Sequence, residues 1–385
     1  MIASGLILML MFATGPASAD EYLREGEFHG QPTLVLSNDV LELSILPFGG
    51  ALPKLVLKND EEQNNPLWDS FRAREERGRP ARPGGSVGHF VCVDGFGPVS
   101  EEERAAGLTG HGEAHTLPWV TRSSDKEGKV ATLTQAVQLP RVHELLTRTI
   151  SLVDGENVVY VHSTLESLLA FDRPVCWAEH ATIGSPFLQA GVTVVDISPN
   201  RALTRPHENE NPLYRLPSNE EFTWPMAPTL ERGQIDLRAA PAPPNSMDHT
   251  AHLLDPNRQY AFVTALHPDK RLLLGYIFPT EQYPWLQIWE HYPATGVMAR
   301  GLEFGSQAFD LPRRDVVTEN QIFGQLLYRW LPARSTIEGN YTMFWTKTPE
   351  GMLGVDDIEW KDGKLHIQDQ RSGINLTLDA ALDLW

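Results

Sequence analysis

The chain has 385 residues, and its 32 Lys+Arg stand against 50 Asp+Glu for a formal net charge of −18. So acidic a polymer is repelled by phosphate backbones and anionic membrane surfaces, which excludes nucleic acid as a partner and leaves neutral small molecules or sugars. Two cysteines, Cys92 and Cys176, are too few for a disulfide-built scaffold, so stability has to come from a packed core.

Residues 1–19, MIASGLILMLMFATGPASA, form an uncharged apolar run ending in Ala17-Ser18-Ala19, the small-residue pattern of a secretory cleavage site, although no Lys or Arg precedes the apolar core. The run breaks at Gly15-Pro16, well short of the roughly 20 residues that a membrane span takes. The expectation is an exported protein, periplasmic or extracellular, with residues 1–19 removed and no membrane span.

Beyond the leader, Thr33–Leu36, Leu41–Ile45 and Ala131–Val137 alternate or cluster β-formers between turn residues and read as strands. LLTRTISLVDGENVVYVHSTLES reads as a hairpin turning at Asp154-Gly155, because that dipeptide tolerates the positive φ angles of tight turns. QYAFVTALHPDKRLLLGYIF turns at His267-Pro-Asp-Lys270, and IEWKDGKLHI at Asp362-Gly363. No stretch shows a sustained 3.6-residue period, and 29 prolines with 30 glycines interrupt the chain throughout. Arg72 to Gly85 and Ser198 to Pro244 read as long connections. The pattern predicts an all-β protein, with residues 20–385 forming a single large β-sandwich domain.

Chemistry-bearing residues cluster in TGHGEAHTLPW, residues 109–119, around His111-Gly-Glu113-Ala-His115. In an extended chain the three side chains share one face. Gly110, Gly112, Thr116 and Pro118 favour an extended or looped form over a helix, and the spacing is not HExxH. Proton chemistry or sugar binding, ordinary packing, and a metal site built on this trio all stay open. His180, in CWAEHATIGSPFL, sits between a β-like run and a Gly/Pro turn, where scaffolds present functional groups. Glu303, in GLEFG, is flanked by apolar residues and glycines, a setting that raises a carboxylate pKa. Trp119 and Trp289 lie near these motifs and are candidate platforms for sugar C–H faces, against the usual role of Trp in a core.

In order along the chain, LVLSNDVLELSILPFGGALPKLVL, HGEAHTLPW, CWAEHATIGSPFL and ARGLEFGSQAFDLP resemble segments of the galactose mutarotase-like superfamily, the aldose 1-epimerases. The resemblance implies a β-supersandwich. It also implies Glu303 as general base, His180 as general acid and His111 as the second histidine that polarises the sugar. Asp248, in Ser-Met-Asp-His-Thr, matches a family aspartate that holds sugar hydroxyls, with His115, Glu113, Trp119, Trp289 and Arg300 as further substrate-binding candidates. Opening a pyranose needs a base for the anomeric hydroxyl proton and an acid for the ring oxygen, and no cofactor, metal or covalent intermediate. The expected partner is a sugar or oligosaccharide.

Departures mark the chain as an outlying member of that family. Glu113 stands where the family has Gly, Glu179 where it has Asn, and Thr182-Ile183-Gly184 replaces an aromatic-Asn pair. Arg82 and Arg300 are the candidates for the family's substrate-binding arginine. Two rivals remain on the same scaffold: a non-catalytic carbohydrate-binding protein, and a glycan-cleaving hydrolase or lyase pairing Glu113 with Glu303.

Overall fold

The computed structural model describes residues 22–80, 85–207 and 211–383. The leader 1–19 and Arg82 lie outside them. Among the described residues two sheets dominate, one of seven strands and one of eight, with antiparallel pairing throughout. Five neighbouring strands of the seven-stranded sheet carry the residues of interest: β1 (His89–Val93), β2 (Trp177–Gly184), β3 (Ser246–Leu254), β4 (Trp285–Tyr292) and β5 (Ala299–Gly305), in spatial order β3-β4-β5-β2-β1. No helix among the described residues is long and apolar enough to cross a membrane.

The two sheets pack face to face, as in other sandwiches. Their shared core takes Val91, Trp177, Ile183, Leu286, Leu302 and Phe304 from the first sheet, and Val161, Val263, Leu274, Tyr341 and Trp345 from the second. A four-stranded N-terminal meander adds Leu36, Leu43 and Leu55 to that core. The outer face of the eight-stranded sheet is covered by a three-stranded C-terminal sheet through Ile358, Leu365 and Ile367.

All three predicted hairpins form. Leu152 pairs with Val159 across Asp154-Gly155, and His267 pairs with Leu272. Lys361 pairs with Lys364 across Asp362 and Gly363, whose φ angles of 52° and 71° give the doubly left-handed turn that Asp-Gly favours. The two predicted connections are more structured than their composition suggests. Ser70–Glu75 is a short helix capped by the Asp69 carboxylate, which accepts the Arg72 N–H at 2.9 Å. Asn200–Thr204 and three shorter strands fall inside the second connection. Segments of two to six residues show no period, so prolines and glycines dominate the reading.

One strand ties the sandwich together. Glu179 on β2 points into the inter-sheet core, where Nη2 of Arg148, from the facing sheet, lies 2.8 Å from both its oxygens. Nε2 of His89 on β1 lies 2.9 Å from the same carboxylate. All three side chains are buried. Burial raises the Glu179 pKa, but Arg148 and then His89 outweigh it, and the carboxyl ends below its ordinary value.

Candidate active site

The face of the seven-stranded sheet turned away from the sandwich core forms the floor of a cleft of about 250 Å3, bordered by Trp68, His111, His180, Trp289, Glu303 and Asp310. Alternation selects these residues. On β2, Glu179 faces the core and His180 the cleft; on β5, Leu302 and Phe304 face the core and Glu303 the cleft. Nε2 of His180 lies 3.3 Å from Oε1 of Glu303, and its Nδ1 lies 3.0 Å from the Thr182 hydroxyl. Phe90 on β1 stacks on the imidazole, with ring centroids 4.3 Å apart. Burial drives the His180 pKa well below its usual value, and the neighbouring His111 adds to that. Burial likewise lifts Glu303 to about 8, opposed by the charge of Arg205. Both shifts favour the neutral forms, so the resting pair holds one proton and holds it on the carboxyl. The roles implied by the family resemblance place that proton on the imidazole.

The HGEAH segment is a loop followed by a single 3-10 turn at Ala114–Thr116, with His111 at φ 61° and Gly112 at φ 75°. His111 and His180 stand 5.3 Å apart between ring centroids, edge to face, and His111 and His115 stand 6.2 Å apart. The Gly97 N–H donates to His111 Nδ1 at 3.3 Å, and burial pushes the His111 pKa down to about 4. The neutral ring therefore carries its hydrogen on Nε2, free to donate to a ligand oxygen. His115, also lowered to about 4 by burial, borders an adjoining cavity of about 520 Å3 together with Trp68, Phe71 and Trp289.

Four candidates from the sequence have other duties. Glu113 does not share the histidines' face: its carboxylate turns back to accept the Arg141 N–H at 3.0 Å, because the loop is not extended. Glu113 does not border the cleft that holds Glu303, and among the described residues no group of three His, Cys, Asp or Glu side chains is disposed to hold a metal ion. Trp119 is a core residue, its indole N–H donating to the Ala114 carbonyl at 3.0 Å. Asp248 and Arg300 fall on the opposite register row from the cleft residues, although Asp248 also borders a side cavity shared with His249 and Trp289. Asp248 pairs in register with Glu290, and Glu290 with Arg300, whereas His249, Trp289 and Gly301 form the parallel row on the cleft side. The Asp248 carboxylate is consumed by the Arg215 Nε–H at 2.6 Å and by the backbone N–H groups of Arg215 and Leu216. Fully buried Arg300 donates to the carbonyls of Leu237 and Arg238.

Trp289 does stand in the cleft, half-buried, edge to face with Trp68 at 6.0 Å and 6.5 Å from His180 between centroids. His249, Gln287, Arg205 and Asp310 stand at or beside the cleft without a motif of their own in the sequence. His249 and Gln287 follow from alternation once Trp289 is placed, since both fall on its side of the sheet. Arg205 directly follows the strand Asn200–Thr204 and Asp310 lies in the loop between Gly305 and the helix at Arg313, so neither carries a periodic signal.

No family model and no curated protein matches the sequence. Among solved structures, a galactose mutarotase-like protein from Clostridium acetobutylicum is 13% identical with a TM-score of 0.57, over 85% of this chain and 99% of that one. A candidate aldose 1-epimerase from Klebsiella pneumoniae is 14% identical with a TM-score of 0.57, over 83% and 80%. A galactose mutarotase related enzyme from Lactobacillus acidophilus is 12% identical with a TM-score of 0.55, over 83% and 100%. Identity this low speaks to architecture, and with the sheet order above it gives this chain the galactose mutarotase-like β-sandwich fold.

Proposed function

We propose that the protein is an exported aldose 1-epimerase that interconverts the anomers of a sugar or a sugar unit, with His180 and Glu303 as its acid and base. The 3.3 Å contact between His180 Nε2 and Glu303 Oε1, on the floor of a cleft flanked by His111 and Trp289, carries this reading. Ring opening needs two groups that share one proton, and a carboxyl with a pKa of about 8 beside a neutral imidazole is such a pair near neutrality. Passage of that proton to His180 arms the site. Glu303 then takes the anomeric hydroxyl proton, the C1–O5 bond breaks as C1=O forms, and His180 protonates O5. Rotation about C1–C2 and closure with the roles reversed give the other anomer. His111 Nε2–H supports the oxygen that gains charge, and Trp289 offers an aromatic face to sugar C–H groups.

Polarimetry or NMR exchange on a panel of freshly dissolved sugars tests the reading. Glu303→Gln and His180→Asn, shown to be folded, should each lose anomerisation by at least roughly a hundredfold. Full rates in both variants would sink it, and saturable binding of a sugar without any rate in the unaltered protein would make the cleft a carbohydrate-binding site instead.

A further inference from the structure

One side of the cleft is a hydrogen-bonded relay whose direction is fixed from end to end. Gln287 Nε2 donates to the Gln307 carbonyl at 3.0 Å, so its Oε1 is left to accept. The partner of that oxygen is His249 Nε2 at 2.8 Å, which must then carry the ring hydrogen. Burial keeps His249 neutral, its pKa pushed down to about 3, so the lone pair sits on Nδ1. There the Arg205 Nη1–H donates at 2.9 Å. Asp310 holds the guanidinium from the other side, accepting an Nη2–H on its backbone carbonyl at 3.1 Å and pairing through its carboxylate.

The relay lies beside the acid–base pair, because Gln287 is the cross-strand partner of Glu303. Arg205 itself lines a side cavity of about 170 Å3, bordered also by His207, Tyr214 and Asp248, whose lining shares His249, Trp289 and Asp310 with that of the cleft. Two hydrogen bonds, to His249 Nδ1 and to the Asp310 carbonyl, and the ion pair with the Asp310 carboxylate hold it in place. Among the described residues the Nε–H and one Nη2–H take no partner.

We infer that Arg205 is the substrate-anchoring cation of this site: its remaining N–H groups take oxygens of a sugar's vicinal hydroxyls in the side cavity, while its charge draws the shared proton of the pair from Glu303 toward His180. This rests on the functional reading above. The titratable and charged groups around Glu303 are His180, Cys92, His111, His249, Asp310 and Arg205. Cys92 is held as a neutral thiol by burial, and the three histidines are held neutral in the same way. Arg205 is therefore the cation that opposes the burial of the Glu303 carboxyl.

Arg205→Met, Arg205→Lys and Glu303→Gln test the inference through kinetics on the best sugar of the panel and through direct titration of the Glu303 carboxyl by carbon-13 NMR. Arg205→Met should raise KM roughly ten- to a hundredfold and move the Glu303 titration upward by about one pH unit. Arg205→Lys keeps the charge without the fork, so KM should rise while the titration stays near that of the unaltered protein. If Glu303→Gln is inactive yet Arg205→Met leaves KM and the titration unchanged, the inference falls and the functional reading stands. If Glu303→Gln and His180→Asn both retain full rates, the functional reading falls and the anchoring role falls with it, while the titration still decides whether Arg205 acts on Glu303.

Discussion

Glu303 is buried, and its carboxyl holds its proton up to about pH 8, whereas an exposed glutamate loses it near 4.5. Below pH 4.5 both folded and unfolded chains bind that proton, and the group has no effect on the slope of stability with pH. Between 4.5 and 8 the folded chain alone binds it, so stability falls as pH rises, by about 1.4 kcal/mol per pH unit. Glu303→Gln removes this penalty, and relative to the unaltered protein it should gain on the order of a few kcal/mol in urea unfolding at pH 9 compared with pH 5. Parallel stabilities at the two pH values would show that Glu303 titrates normally. His180, His111 and Glu303 were all legible in the sequence, because each sits in a short motif of distinctive composition. Glu113 was misread for the same reason. Its neighbours mark a functional loop, and the left-handed His111 and Gly112 with the turn that follows point the carboxylate away from it.

On β5, the strand that presents Glu303, a glycine two residues earlier occupies the same face. A Cβ at Gly301 would stand 2.7 Å from Glu303 Cδ, and its obstacle is the end of a side chain, with the backbone left clear. Gly301→Ala should therefore displace the carboxylate from His180 while the sheet persists. Anomerisation should drop by more than about tenfold with a melting temperature close to that of the unaltered protein, and an unchanged rate would show that the carboxylate can be placed from another rotamer. The strands themselves were readable from alternation and turn residues. Sidedness was harder: Arg300 and Glu303 are three apart on one strand and so cannot face the same way, and Asp248 sits opposite Glu290 instead of Trp289. Register between distant strands is a tertiary property, and no local pattern specifies it.

Across the whole molecule, the carboxylate that pairs the two sheets and the imidazole that serves the cleft alternate along one strand. Glu179→Gln would strip Arg148 of its buried partner and should cost about 3–5 kcal/mol, seen as a lower urea midpoint. A loss under about 1 kcal/mol would mean that water or the His89 ring compensates Arg148. The sequence showed only that Glu179 was unusual; its partner on the facing sheet, 31 residues away in the chain, was hidden until the two layers met. The same strand limits how such a protein can diverge. One residue inserted or deleted ahead of Glu179 in Trp177–Gly184, with the rest of the strand slipping by one, would send the histidine into the sandwich interior and the glutamate into the cleft, wrecking the site and the layer contact in a single event. Lineages of this architecture should therefore vary their sugar preference through exchanges of side chains and through the lengths of the rim loops, with the residue count of that strand held fixed.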